Sequence, residues 1–109
     1  MNFIPGDLIE KTFFLEDENG DAVDISELSG VLYETKTPTR IVHTFLHGTA
    51  TAPTQVDAKH VKFTFSPEIT RKCRKEVNYT FDVYVGSKQK IYTGDFGEAG
   101  FSPLTEILA

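Results

Sequence analysis

The stretch Val77-Asn78-Tyr79-Thr80-Phe81-Asp82-Val83-Tyr84-Val85 decides the fold. Val77, Tyr79, Phe81, Val83 and Val85 recur at every second residue, with mostly polar groups between them. Successive side chains of a strand point to opposite faces, so this spacing builds a half-buried antiparallel strand, with Tyr79, Phe81 and Val83 in the core. On the C-terminal side, Gly86-Ser87-Lys88 is a short turn and Gln89 to Phe96 a further strand, closed by Gly97 and Gly100. The two strands pair as a hairpin. On the N-terminal side, His60-Val61-Lys62-Phe63-Thr64-Phe65 alternates just as cleanly and puts Val61, Phe63 and Phe65 on one face. Between these strands, Ser66-Pro67-Glu68 supplies an N-cap, a first-turn proline and an acid at the positive helix end. Ile69 and Cys73 stand four apart, so one or two helical turns follow.

Farther upstream the pattern is looser. Leu8 to Glu16 reads as a strand, although Lys11 interrupts the face of Ile9, Phe13 and Leu15. Asn19-Gly20 then offers a tight turn. Val31 to Thr37 and Arg40 to His47 read as a strand pair separated near Pro38-Thr39. Gly48 to Thr54 is a small-residue loop, the expected most mobile stretch, and Pro103 to Leu108 a second short turn. Short strands joined by Gly, Pro and Asn turns make an all-β, two-sheet sandwich of about seven strands. Residues 1–109 form a single domain, since 109 residues are one core's worth.

With 39% hydrophobic and 25% charged residues, the composition excludes wholesale disorder. No apolar run approaches the ~18 residues of a membrane span, and Met1 to Asp7 has neither the basic nor the apolar region of a signal peptide. The expected chain is therefore soluble and unsecreted. Its single cysteine forms no internal disulfide, in keeping with a reducing compartment. The net charge of −5 argues against nucleic acid and anionic membranes as partners. It is unevenly spread: residues 1–57 hold ten acids against Lys11, Lys36 and Arg40, whereas residues 58–109 hold six acids against eight bases. If the two halves occupied different faces, they would favour head-to-tail self-association.

Several residue groups invite a chemical reading, and each has a plainer one. Arg71-Lys72-Cys73-Arg74-Lys75 is the one basic concentration, but no aromatic interleaves it for base stacking, so it reads as a solvated loop. His43 and His47 resemble a metal pair, yet on a strand that spacing sets them about 13 Å apart at ~3.3 Å per residue, too far for one ion, and nothing local recruits His60. Cys73 has basic neighbours that would lower a thiol pKa, but its spacing from Ile69 suits a small buried plug. Glu16, Asp17, Glu18, Asp21 and Asp24 evoke a calcium loop. Counted from Asp17, however, Gly20 stands at position four and Leu28 at position twelve, and the EF-hand pattern fails. A looser cation site at this turn stays open beside a solvated hairpin tip. Gly94, Gly97 and Gly100 lack the helix and lysine of a phosphate loop and read as turn and bulge residues. Asn78-Tyr79-Thr80 matches a glycosylation acceptor but lies in the strong strand. The residues thus predict no catalytic, cofactor-binding or metal site, no cofactor and no small-molecule substrate.

The ordered set of pieces resembles the small immunoglobulin-like β-sandwich modules of tailed-bacteriophage and prophage tail and baseplate proteins, such as upper baseplate protein N-terminal domains. Gly6-Asp7 stands at the opening, Asn19-Gly20-Asp21 at the turn and Val23-Asp24-Ile25-Ser26 at the next step. Pro67-Glu68-Ile69-Thr70 fills the short turn, Tyr79-x-Phe81-Asp82-Val83 the signature strand and Ile91-Tyr92-Thr93-Gly94-Asp95-Phe96 the closing strand. Departures are Lys11 for an apolar residue, Glu27-Leu28 inserted before Gly30, Cys73 for leucine, and Arg74-Lys75-Glu76 where a glycine is usual. The resemblance implies an immunoglobulin-like sandwich and a non-enzymatic virion structural protein of tail, baseplate or fibre attachment, assembled in the bacterial cytoplasm. Its partners would be other virion proteins or copies of itself in a ring. The alternative is a stand-alone immunoglobulin-like binding domain for a host protein or glycan, and an accessory subunit of a bacterial enzyme is a more distant rival.

Overall fold

The computed structural model describes residues 6–16, 19–74, 76–86, 89–96 and, for the backbone alone, 104–105. Its strands are β1 (Ile9–Phe14), β2 (Leu28–Glu34), β3 (Thr37–Leu46), β4 (Thr54–Gln55), β5 (His60–Phe65), β6 (Tyr79–Val85), β7 (Gln89–Phe96) and β8 (Leu104–Thr105). One short helix, α1 (Pro67–Thr70), and a 3-10 turn at Ile25–Glu27 complete the elements. The strands form two sheets of four, ordered β4-β5-β1-β8 and β3-β2-β6-β7. The chain is an all-β sandwich, antiparallel except where β8 runs parallel to β1.

The every-second-residue apolar pattern does what it predicts. Val61, Phe63 and Phe65 of β5 and Tyr79, Phe81 and Val83 of β6 are all buried. Phe81 is the hub between the sheets: its ring centroid lies 5.2 Å from Phe63 and 4.9 Å from Phe65 of one sheet, and 5.8 Å from Phe45 of its own. These rings meet edge to face, the arrangement their quadrupoles favour. Opposite Val83 on β2 stands Gly30, where a Cβ would come within 2.7 Å of the Phe81 ring. Gly30 thus leaves room for an aromatic where a strand interior would otherwise prefer a side chain.

Three expectations are corrected. Lys11 does not break the β1 face but joins it, fully buried beside Phe13. Its ammonium lies 5.4 Å from the Tyr92 ring centroid and 5.7 Å from that of Phe13, a cation–π setting, while its aliphatic stem counts as core. The β2–β3 turn falls at Thr35-Lys36, not Pro38-Thr39, and Pro38 lies inside β3. Because β3 is a sheet edge, the missing proline N–H costs no central ladder bond. The register confirms the distortion: Leu32 faces His43, Tyr33 faces Ile41 and Glu34 faces Thr37, so Pro38, Thr39 and Arg40 bulge out of the ladder. Lastly, Leu104-Thr105 is a strand beside Phe13 and Phe14, not a helical turn, and residues 103 and 106–108 lie outside the described residues.

Smaller boundaries also move. The central strand begins at Tyr79, and Thr54, read as loop, begins β4. The β6–β7 hairpin forms with Val85 opposite Gln89, across a turn whose Ser87 and Lys88 are outside the described residues. Ser66 does occupy the N-cap of α1, but its side chain makes no capping bond. Thr70, fully buried, does more: it accepts from Gly6 N–H (3.0 Å) and donates to the Asp7 carbonyl (2.7 Å). Two of the pieces that carry the family resemblance, the opening Gly-Asp and the threonine turn, are therefore bonded to each other.

Candidate functional site

The outer face of the β3-β2-β6-β7 sheet holds a groove lined by described residues. Alternation puts Thr80, Asp82 and Tyr84 of β6 on this side, opposite the Phe81 face, and register fixes their neighbours. Val31 stands across from Asp82, Ser29 across from Tyr84, and Lys90 of β7 across from Tyr84 on the other side. Ser29, Val31, Tyr33, Pro38, Ile41, Asp82, Tyr84 and Lys90 line a groove of about 490 Å³. The β3 bulge raises one wall of it, because it carries Pro38 and turns Ile41 toward Tyr33.

Asp82 is the unusual member. The half-buried strand predicted from alternation has a polar residue at this position, yet Asp82 is only 2% exposed. Its Oδ2 accepts a 3.3 Å ion pair from Lys90 Nζ, whose ammonium also lies 6.0 Å from the Tyr84 ring centroid. Its Oδ1 is buried without a hydrogen-bond partner. A buried carboxylate oxygen left unmet is costly, and the Tyr33 phenol interacts with the same carboxylate as a donor. Burial first and the Asp82 carboxylate second push the Tyr33 phenol above its ordinary pKa, while the carboxylate pushes Lys90 up. At neutral pH the groove therefore holds a neutral Tyr33 phenol and a charged Lys90 ammonium.

The residues singled out in the sequence scatter. His43 is half-buried, bonded through Nε2 to the Thr51 hydroxyl (2.8 Å) and edge-on to Phe45, and burial lowers its pKa. His47 is exposed, and His60 pairs with Asp57 (2.8 Å). Cys73 is buried, which raises its thiol to about 11, so the basic neighbours do not activate it. Arg71, Lys72 and Arg74 are exposed, and Arg74 reaches Glu34 at 3.4 Å; Lys75 is outside the described residues. Asn78 is exposed, one residue before β6 rather than within it.

Two of the acidic turn's described carboxylates are bonded within the fold. Glu16 takes Lys59 at 2.8 Å, and Asp24 caps the 3-10 turn by accepting from Ser26 N–H and hydroxyl, which holds its carboxyl below the ordinary range. Asp21 is exposed, and Asp17 and Glu18 lie outside the described residues. Gly94 sits beneath Tyr92, where a Cβ would clash with the phenol, so it is a packing residue; Gly97 and Gly100 are not described. Among the described residues no three His, Cys, Asp or Glu side chains gather as metal ligands. No helix among them is long and apolar enough to cross a membrane.

The charge asymmetry takes an unexpected form. Acidic and basic halves do not occupy separate faces, because β1 pairs with β5 in one sheet and β2 with β6 in the other. Glu10–Lys62 (3.0 Å), Glu16–Lys59 and Glu34–Arg74 each join one half to the other. These three ion pairs lie within the molecule. No family model matches the chain, and no curated protein or solved structure is found similar to it.

Proposed function

We propose that this chain is a non-enzymatic structural module of a tailed-phage or prophage virion, working in the tail, baseplate or fibre attachment through protein–protein contacts. One observation carries the reading. The bulged strand β3, at the edge of its sheet among the described residues, holds Ile41 and Leu46 about half exposed on the same outer sheet face. Exposed apolar side chains at a sheet margin are what a docking partner covers, by face packing or by adding a strand. The ordered motifs of the resemblance support the virion setting, and the Gly6–Thr70–Asp7 bonds give two of them a shared structural purpose. Other virion proteins, or further copies of this chain in a ring, are the expected partners.

Mass spectrometry of particles purified from a host carrying the gene tests this reading. The chain is expected in the particles at a fixed ratio to a tail or baseplate protein, and an Ile41→Glu variant is expected to be depleted from them. Finding the chain only in the soluble fraction, with flanking genes of metabolism, overturns it. The groove over Asp82 favours a second reading, a binding domain for a host protein or glycan.

A further inference from the structure

We infer that the groove over Asp82 is a saccharide site, binding a neutral polyhydroxylated ring. The inference rests on the second reading above, and its failure leaves the virion role standing, because that role is read from particles and this one from sugars.

The groove's chemistry selects the ligand class. Asp82 and Lys90 cancel each other's charge across 3.3 Å, so the groove exerts little net pull on an ion. A cationic ligand, such as an arginine of a partner protein, would have to displace Lys90 and exchange one cation for another with small gain. An anionic ligand would meet the Asp82 carboxylate. A neutral ligand leaves the ion pair whole, and Oδ1, although the Tyr33 phenol interacts with the carboxylate, still lacks a close neutral donor. A hydroxyl supplies that donor, while Lys90 and Ser29, also on the groove wall, offer donors to a neighbouring hydroxyl oxygen.

The walls fit the same ligand. Tyr33 and Tyr84 bring aromatic surface, and Val31, Pro38 and Ile41 an apolar side, which together suit the C–H faces of a pyranose. The volume of about 490 Å³ falls within the roughly 300–1,000 Å³ usual for small-ligand sites. Convergent polar groups on a mostly apolar, preformed groove are the general mark of such a site. The rigid sheet places them: Asp82 and Tyr84 lie two residues apart on β6, and Tyr33 and Val31 two apart on β2.

Heteronuclear NMR of the full chain, titrated with glucose, galactose, N-acetylglucosamine and rhamnose at millimolar concentration, tests the site. At least one sugar is expected to shift the amides of Val31, Asp82 and Tyr84 saturably. Asp82→Asn is expected to weaken that sugar by about tenfold or more, the loss typical of a hydrogen bond to a charged group. Tyr84→Ala should weaken it as well, and Lys62→Ala, on the other sheet, should not. No saturable shift in the groove with any of the four sugars overturns the inference. So does a shift there with ethylguanidinium alone, which assigns the groove to a cationic partner. Should Asp82→Asn fail to fold, the map on the unaltered chain together with Tyr84→Ala decides.

Discussion

The two faces of β6 are almost equally buried and do opposite things. Phe81 on the inner face meets rings from both sheets and has no polar atom to satisfy. Asp82, the next residue, is buried on the outer face under Lys90 and the groove side chains, with one oxygen unmet. The first kind of burial contributes stability through apolar area and dispersion, with no loose end. The second stabilises little, because removing a carboxylate from water offsets most of what the ion pair returns. Depth of burial therefore does not measure contribution to the fold.

The contrast is open to direct tests. Phe81→Ala is expected to cost about 4 kcal/mol in urea unfolding, as for a large ring removed from a packed centre; a loss under about 1 kcal/mol would show that Phe81 is not the hub. Gly30→Ala, which drives a methyl into the Phe81 ring, should cost about 2 kcal/mol, in the range of overpacked cores. On the outer face, Tyr84→Ala should cost only about 1 kcal/mol by the same measurement, the low side for a half-buried side chain.

A subtler test concerns Lys11, the charge buried on the inner side. Burial lowers its pKa below the ordinary lysine value, so the folded state releases the proton more readily than the unfolded one. Its contribution to stability is then unfavourable at neutral pH and improves as pH rises toward the unfolded value of about 10.4. Lys11→Met is expected to be more stable than the natural chain at pH 7, with the difference shrinking in alkaline urea titrations. The smallest effect is spectroscopic. Tyr33 should ionise above the ordinary tyrosine range in an ultraviolet pH titration, and Asp82→Asn should move it part of the way back. Because this folded pKa is raised, the linked stability is present below the ordinary tyrosine value and is lost as pH climbs through the folded one.

The strands with strict alternation, β5 and β6, were legible because period 2 is all that a two-faced strand needs. Other features depended on information that a local pattern does not hold. Pro38 reads as a turn residue because proline is excluded from sheet interiors, and only the strand order reveals that β3 is an edge. Lys11 reads as an interruption because its charge hides the apolar stem that packs. β4 and β8 have two residues each, too few for any period. The groove was invisible for a related reason. Asp82 looked like one more outward polar residue, and what sets it apart is the company of Tyr33, Tyr84 and Lys90, which cross-strand register alone supplies. The usable clue was an acid in mid-strand between aromatic residues, where strand propensity disfavours it.

The placement of β1 also governs when the molecule takes shape during synthesis. Its strand neighbours are β5 and β8, so Ile9 waits for Phe65 to leave the ribosome before it has a ladder to join, and Gly6 waits for Thr70. Within the first fifty residues, only the β2–β3 hairpin and the single Glu16–Ala22 bridge can close early among the described pairings. Such distant pairing makes folding slow, in the millisecond-to-second class of all-β domains, and leaves the nascent amino-terminal half to rely on its excess of acids to stay apart from its neighbours.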